Sequence, residues 1–297
     1  MTDPLTAEPG DTPRGATPFS LLLPVYRADD PEYVRRAFRS SVHEQTLPPS
    51  EVVVVQDGPV PAALAAALEE LCTTSPVPAR LVVLPANRGL AAALEQGLDE
   101  CANDVIARMD ADDVSLSGRF ARQIAKLDEG YDIVGAGMYE FVDENGAIVG
   151  QRIPVTGSAE IARYARFHDP FSHPTVVYRR SAVRRAGGYI AVGLMEDYWL
   201  FARMIQAGCR VANVPEPLVM YRVGAGAYKR RGGMAQLRSE LALQGHFLRS
   251  GFTNPLQAVR NVAVRGAYRL VPETARRAVY RRHIAQGFRA RRTGDRP

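Results

Sequence analysis

Over its first hundred or so residues the sequence alternates short apolar runs with longer segments of helical character, and each apolar run stops on a polar or charged group. The runs cover residues 19–25 (FSLLLPV), 51–55 (EVVVV), 80–84 and 105–109. Short apolar runs bounded by turn signals read as buried strands. Between them lie three candidate helices. Residues 31–43 open with Asp30 as N-cap and Pro31 at the first helical position, residues 61–72 are rich in alanine, and residues 90–101 close the set. Such alternation predicts an α/β fold with a doubly wound, mostly parallel sheet flanked by helices. Ligands of these sheets bind beyond the carboxyl ends of the strands. Pro24, Val25, Tyr26 and Arg27 at the end of the first strand, Asp57 after the second, and Asn87 and Arg88 after the third should therefore share a crevice with the residues at the end of the fourth.

The fourth strand ends in negative charge. Residues 105–114 read VIARMDADDV, an apolar run that stops on Asp110, Ala111, Asp112 and Asp113. Carboxylates this close repel one another and resist burial unless a cation or hydrogen-bond donors hold them. Carboxylate oxygens suit hard divalent ions, and Mg²⁺ or Mn²⁺ commonly binds through one or two carboxylates plus the phosphates of a substrate. The plainer alternative is a solvated acidic turn ahead of a helix that begins near Ser117. Asp57-Gly58 and Asn87-Arg88-Gly89, taken singly, are equally compatible with ordinary turns.

The second half is more irregular. Strand-like pieces at residues 132–134, 138–142 and 147–152 carry a hairpin signal at Glu144-Asn145-Gly146. His173-Pro174 precedes a strand at 175–178, Gly187-Gly188 forms a link, and residues 196–207 (EDYWLFARMIQA) form a helix closed by Gly208. Short strands are expected at 210–214 and 218–221, and only helical patterns occur beyond Gly232. The organisation expected is a tail at 1–18 too polar to fold, a domain at 19–231 in two halves (19–115 and 116–231), and a basic helical extension at 232–297.

Composition narrows the function classes. With 297 residues and 46% hydrophobic content the chain can bury a real core. No apolar run approaches the roughly 18 residues needed to span a bilayer, so a cytoplasmic protein is expected. Three cysteines without CxxC spacing argue against a disulfide framework or a zinc site. The net charge is a mild +5, but residues 260–292 hold ten arginines against the single acid Glu273. That asymmetry suggests an anionic surface as partner, and a membrane fits better than nucleic acid because no aromatic stacking platform is interleaved.

Taken together, LPVY at 23–26, QDG at 56–58, NRG at 87–89, DADD at 110–113, HP at 173–174 and ED at 196–197 resemble the family 2 inverting glycosyltransferases with a GT-A fold, over about residues 19–222. The resemblance implies a Rossmann-like sheet, a nucleotide-binding half at 19–115 and an acceptor-binding half at 116–231, and a nucleotide-sugar donor, usually a UDP-sugar, whose base is held by Asp57 and the first strand end. It implies Asp112 as ligand of Mn²⁺ or Mg²⁺ on the diphosphate, Asp110 supporting the metal shell or the ribose, and Asp197, with Glu196 beside it, as catalytic base. Such enzymes build bacterial polysaccharides on glycan or lipid-linked acceptors. His173 and Trp199 are candidate acceptor contacts, although Trp199 at helical spacing also suits a core position. Many members carry a histidine after the strand near residue 222 that completes the metal shell. Here the segment reads YRVGAGAYKRRGG. Either water completes that shell, or Arg222, Lys229, Arg230 and Arg231 neutralise the diphosphate directly.

The same DADDV fits the DxDx[TV] signature of haloacid-dehalogenase-like phosphatases, with Asp110 as nucleophile and Asp112 as acid. Arg108 interrupting the apolar strand and the lack of a downstream GDxxxD-like pair oppose that alternative.

Overall fold

The computed structural model describes residues 17–142, 146–223 and 233–267. The expected N-terminal tail, Glu144 and Asn145 of the hairpin turn, Lys229, Arg230 and Arg231, and the basic run beyond residue 267 lie outside the described residues.

The first half reproduces the alternation in the sequence. Strands β1 (Phe19–Tyr26), β2 (Glu51–Asp57), β3 (Ala79–Val83) and β4 (Val105–Arg108) are separated by helices α1 (Pro31–Val42), α2 (Ala62–Thr73) and α3 (Leu90–Glu100). They pair in parallel in the order β3-β2-β1-β4, with Leu22 opposite Val53 on one side and Arg108 on the other. Successive side chains of a strand point to opposite faces, so a continuous apolar run requires cover on both. Leu21, Leu23 and Val25 join the core made with Val34, Phe38, Leu64, Leu68, Phe120 and Ile124. Leu22, Val53, Val55 and Ile106 join the opposite core made with Leu94, Leu98, Leu200, Phe201 and Met204. Asp30 caps α1 by accepting from the Glu32 backbone N–H at 2.8 Å, one residue before Pro31.

Beyond β4 the sheet continues in mixed sense. It uses β5 (Val114–Ser115), β6 (Ile133–Phe141), β7 (Ile148–Arg152), β8 (Val177–Arg179) and β9 (Val211–Arg222), with α4 (Arg119–Asp128), α5 (Ser158–Tyr164), a 3-10 turn (His173–Thr175), α6 (Arg180–Arg185) and α7 (Glu196–Gln206) between them. The full order is β3-β2-β1-β4-β8-β6-β9-β5, with β7 on β6 as the expected hairpin. Two strands were expected where β9 is one. Pro215 and Pro217 look like a break in sequence, but β6 absorbs them by shifting register around Gly137. Helix α4 begins at Arg119 rather than near Ser117, whose carbonyl accepts from the Thr46 backbone N–H at 2.9 Å.

After β9 come α8 (Met234–Arg249), α9 (Pro255–Asn261) and a π-helical turn (Val262–Gly266). Helix α8 packs on α7 through Leu243 and Phe247 against Tyr198, Trp199 and Ala202. Arg265 secures the contact: its Nε donates to the fully buried Glu240 at 2.7 Å and its Nη1 to the Phe167 carbonyl at 3.0 Å.

One buried cation joins the two halves. Arg119 is 0% exposed and is held by neutral acceptors. Its Nη2 donates to the carbonyls of Arg108 (2.6 Å) and Pro174 (2.9 Å), its Nη1 to Ser115 Oγ (3.0 Å), and its Nε to Gln123 (3.2 Å). Burial and neighbouring Arg108 push its pKa down to about 9, against the pull of Asp113 and Asp110. Arg119→Met should lower the unfolding free energy by about 3 kcal/mol in urea titrations, because the carbonyls of Arg108 and Pro174 lose their donor in a dry interior.

Candidate active site

Two cavities open at the carboxyl ends of the parallel strands. One, of about 600 Å³, is lined by Pro24, Val25, Tyr26, Asp29, Tyr33, Asp57, Asn87, Asp110, Ala111, Asp112 and Arg222. The other, of about 490 Å³, is lined by Arg108, Asp110, Arg152, Tyr164, Asp169, Ser172, His173, Glu196 and Asp197. Leu90, Asp110 and Tyr221 belong to both. Volumes of this size suit a small-molecule site.

In the first cavity Asp57 explains why QDG and NRG occur together. Its Oδ2 accepts from Asn87 Nδ2 and the Gly89 backbone N–H, both at 2.9 Å, and its Oδ1 accepts from the Arg88 backbone N–H at 2.6 Å. Gly58 sits at φ +84°, and a Cβ there would collide with the backbone of Asn87. The β2 end and the β3–α3 loop are thereby welded into one wall. Arg88 contributes its backbone, while its side chain is exposed and is not among the residues lining the cavity.

The acidic loop is held from several sides. Arg108, fully buried, pairs through Nη2 with Asp110 Oδ1. Burial works against this guanidinium's charge, yet Asp110, Tyr189 and Asp113 outweigh it and its pKa stays raised. Arg222 clasps the other side. Its backbone N–H donates to Asp113 Oδ1 at 2.9 Å, its Nε to the Asp112 carbonyl at 2.7 Å, and its guanidinium lies over Tyr33 (3.8 Å) and Phe141 (4.6 Å). Burial, reinforced by Asp110 and Asp112, holds the Asp113 carboxyl well above the usual range. Asp29, which accepts from the Tyr26 backbone N–H at 2.8 Å, is pushed up to about 7 by burial and by Asp112 and Asp110. A carboxyl surplus built only of oxygen donors fits a hard divalent cation. Among the described residues no group of three or more His, Cys, Asp or Glu is arranged to hold a metal alone. Asp110 and Asp112 would therefore share an ion with substrate oxygens or water, as Mg²⁺ sites do.

The second cavity is acidic, with a buried cation at its floor. Asp197 and Glu196 stand in the first turn of α7, where the helix dipole favours acids. Asp197 Oδ1 accepts from the Tyr198 backbone N–H at 2.7 Å, and its Oδ2 lies 3.7 Å from His173 Nδ1. Burial raises the Asp197 pKa, with Asp110 adding to it and Arg108 opposing it. Glu196 is pushed up to about 7 by burial and by Asp197. Burial, then Asp197, raises Asp169. His173 is held well below its ordinary value by burial and by Arg108, so its imidazole is neutral. Arg108 leaves Nε and Nη1 without a hydrogen-bond partner among the described residues.

Nine expected donor-side residues thus meet in one cavity, and Asp197, Glu196 and His173 meet in the next. Trp199 does not join them. It packs against His246 and Phe247 with Arg203 over its ring, which moves it from the acceptor-facing set to the core. Arg230 and Arg231 lie outside the described residues. Sequence reading missed Asp29, Tyr33 and Asp169, which carry no motif. It used Arg108 only as an oddity in an apolar run, although a charge at a buried strand position was itself a signal.

The Glu196 shift sets a sign for stability. A carboxyl raised from 4.5 to about 7 favours the folded state fully below the lower value, and that contribution is lost as pH rises through the upper one. Glu196→Gln should therefore raise the melting temperature of nucleotide-free protein more at pH 8 than at pH 5, as read by scanning calorimetry.

Comparison with known proteins places the sequence and the fold in a family. The family model for glycosyl transferase family 2 matches residues 20–187. The chain is 35% identical over 264 residues to the amylovoran biosynthesis glycosyltransferase AmsE of Erwinia amylovora, covering 88% of this chain and 97% of that one. It is 31% identical over 278 residues to a UDP-Gal:α-D-GlcNAc-diphosphoundecaprenol β-1,3-galactosyltransferase of Escherichia coli, covering 92% and 98%. Its fold is the GT-A fold, similar at TM-score 0.58 and 18% identity to the mannosyltransferase PcManGT of Pyrobaculum calidifontis in complex with GDP-Man and Mn²⁺, covering 93% of this chain and 81% of that one. The phosphatase alternative gains no support from these relatives. From the strand-end motifs, the sheet they terminate and these matches, the chain belongs to glycosyl transferase family 2.

Proposed function

We propose that this enzyme transfers a sugar from a UDP-sugar, with inversion at the anomeric carbon, to a hydroxyl of a glycan or lipid-linked saccharide in cell-surface polysaccharide assembly. The observation that carries this reading is the shared wall at Asp110. A cavity with a nucleotide-sized wall meets a cavity containing a shielded base candidate, so a donor and an acceptor can approach one reaction centre from two sides. The names of the two relatives, one using UDP-Gal and a diphosphoundecaprenol-linked sugar and the other assembling amylovoran, support the donor and acceptor classes.

In this reading Pro24, Val25, Tyr26 and Asp57 receive the base and Arg222 faces the diphosphate. A divalent ion, Mn²⁺ or Mg²⁺, held by Asp112 and Asp110 would supply positive charge to the departing diphosphate. Asp197 accepts the proton of the acceptor hydroxyl as that oxygen bonds to the anomeric carbon, and the electron pair of the broken bond leaves on UDP. One carboxylate acting as base, with no covalent sugar intermediate, gives a single displacement and hence inversion. The domain boundaries in this reading are those of the sequence, with the extension from 232 seating the helix that bears the base.

The extension also supplies a surface for the lipid side. No described helix is long and apolar enough to cross a membrane. Leu256 (82% exposed), Val259 and Val264 nevertheless present apolar side chains to solvent beside Arg260, a combination that suits peripheral contact with an anionic bilayer.

Asp197→Asn should lower kcat by about 10²-fold or more, the scale of lost general-base catalysis, while leaving UDP affinity intact by calorimetry. Asp112→Asn and chelation should each abolish metal-dependent UDP binding; UDP release that persists in excess chelator would remove the metal from the reaction. Full-length protein should co-sediment with vesicles containing anionic lipid and less with neutral ones, and Leu256→Asp with Val259→Asp should weaken that binding.

A further inference from the structure

Beneath Asp197 runs a chain of buried side chains to which the sugar transfer itself gives no task. Tyr178, on β8, is 0% exposed, Tyr189 is 6% exposed and His173 is 8% exposed. The Tyr189 hydroxyl donates to the Tyr178 hydroxyl at 3.3 Å, and the Tyr189 oxygen lies 2.9 Å from His173 Nε2. The opposite ring nitrogen, Nδ1, is the one that faces Asp197 Oδ2 at 3.7 Å. The imidazole is further fixed by the Phe201 ring at 6.0 Å, edge to face.

These contacts determine where the single imidazole proton sits. A neutral imidazole has one N–H and one lone pair, and the bond made by one nitrogen sets the role of the other. Because the Tyr189 proton is committed to Tyr178, the Tyr189 oxygen can only accept from Nε2. Nε2 therefore carries the hydrogen and Nδ1 presents a lone pair to Asp197. We infer that Tyr178 and Tyr189 are positioning residues that lock His173 in the tautomer whose Nδ1 lone pair faces the catalytic carboxylate. This rests on the reading of Asp197 as base.

The consequence is chemical. A lone pair opposite a carboxylate disfavours the ionised form and accepts a hydrogen bond from the protonated one, so it strengthens the base. When the acceptor hydroxyl loses its proton to Asp197, the new carboxyl O–H has Nδ1 to donate to, and the proton stays on Asp197. In the other tautomer an N–H would point at the carboxylate, stabilise it and weaken it as a base. The contact in the free protein exceeds hydrogen-bond length, and catalytic contacts of this kind commonly tighten only when substrate is bound. Arg108, Asp110, Glu196, Asp169 and Tyr189 are the other charged or titratable groups facing Asp197, and of these only Tyr189 loses a partner when the Tyr178 hydroxyl is deleted.

The test is nitrogen-15 NMR of the full chain with labelled histidine. The chain has five histidines, and the His173 signals are assigned by their loss in His173→Gln. Native protein should show His173 with a protonated Nε2 and a bare Nδ1. In Tyr178→Phe the Tyr189 hydroxyl is released to donate to Nε2, and the ring proton should move to Nδ1. The kcat should then fall about tenfold, one pKa unit of base strength, with the donor KM unchanged and the acidic limb of the kcat profile displaced to lower pH by about one unit. Tyr189→Phe, which removes the Nε2 acceptor outright, should change kcat in the same direction. A protonated Nδ1 in the native protein, or a Tyr178→Phe variant with native tautomer and native kcat, would overturn the inference. Asp197→Asn separates the two levels: if it turns over normally the base reading fails, whereas an inactive Asp197→Asn beside an unaffected Tyr178→Phe sinks only the tautomer lock.

Discussion

Desolvated carboxylates must be compensated, and the active-site half of this molecule is arranged around that requirement. Asp110, Asp112, Asp29, Glu196, Asp197 and Asp169 crowd two adjoining cavities, with Asp113 buried behind them. Fully buried Arg108 and Arg119 lie beneath them, at the end of β4 and the start of α4. Their tasks differ. Arg108 lines the second cavity and holds Asp110, while Arg119 grips the Arg108 carbonyl and the turn that bears His173. Charge compensation and chain geometry are thus handled by a single stack of two arginines. A buried cation usually costs stability unless its partners are complete, and here the one left incomplete among the described residues is the one that lines the second cavity.

The helix bearing Asp197 gains its position from both directions. Leu200, Phe201 and Met204 fasten α7 to the sheet, and Tyr198, Trp199 and Ala202 fasten it to α8. Arg265, with Glu240 on one side and the Tyr198 ring 5.2 Å away on the other, closes the second contact. The carboxyl-terminal helices are therefore part of the apparatus that aims Asp197, even though none of their described side chains lines either cavity.

Much of this was legible in the chain because it depends on local rules. Alternating apolar runs set the β3-β2-β1-β4 half, Asp30-Pro31 set the start of α1, and the strand-end rule placed Asp57, Asn87, Asp110 and Asp112 together. The illegible part depends on partners distant in sequence. Pro215 and Pro217 read as a break until β6 shifts register to accept them. Helices α5 and α6 are too short, at 7 and 6 residues, for a periodic signal. Trp199 became a core residue because α8 covers it, a fact carried by residues more than forty positions away. His173, ambiguous as a lone histidine, takes on meaning only beside Tyr189 and Asp197.

The two cavities draw on different segments of the chain. The first cavity includes the ends of β1 and β2 and the braced Asp57 loop, where a shifted backbone would disturb a parallel ladder. The second cavity includes two connecting segments of its own, residues 153–155 and 169–172, which sit outside the regular elements and outside that ladder. Connecting segments accept insertion and replacement more readily than the elements they join. In the proposed reading, a lineage descending from such a scaffold can change which molecule receives the sugar by editing those loops, while the apparatus that grips the activated sugar passes down untouched.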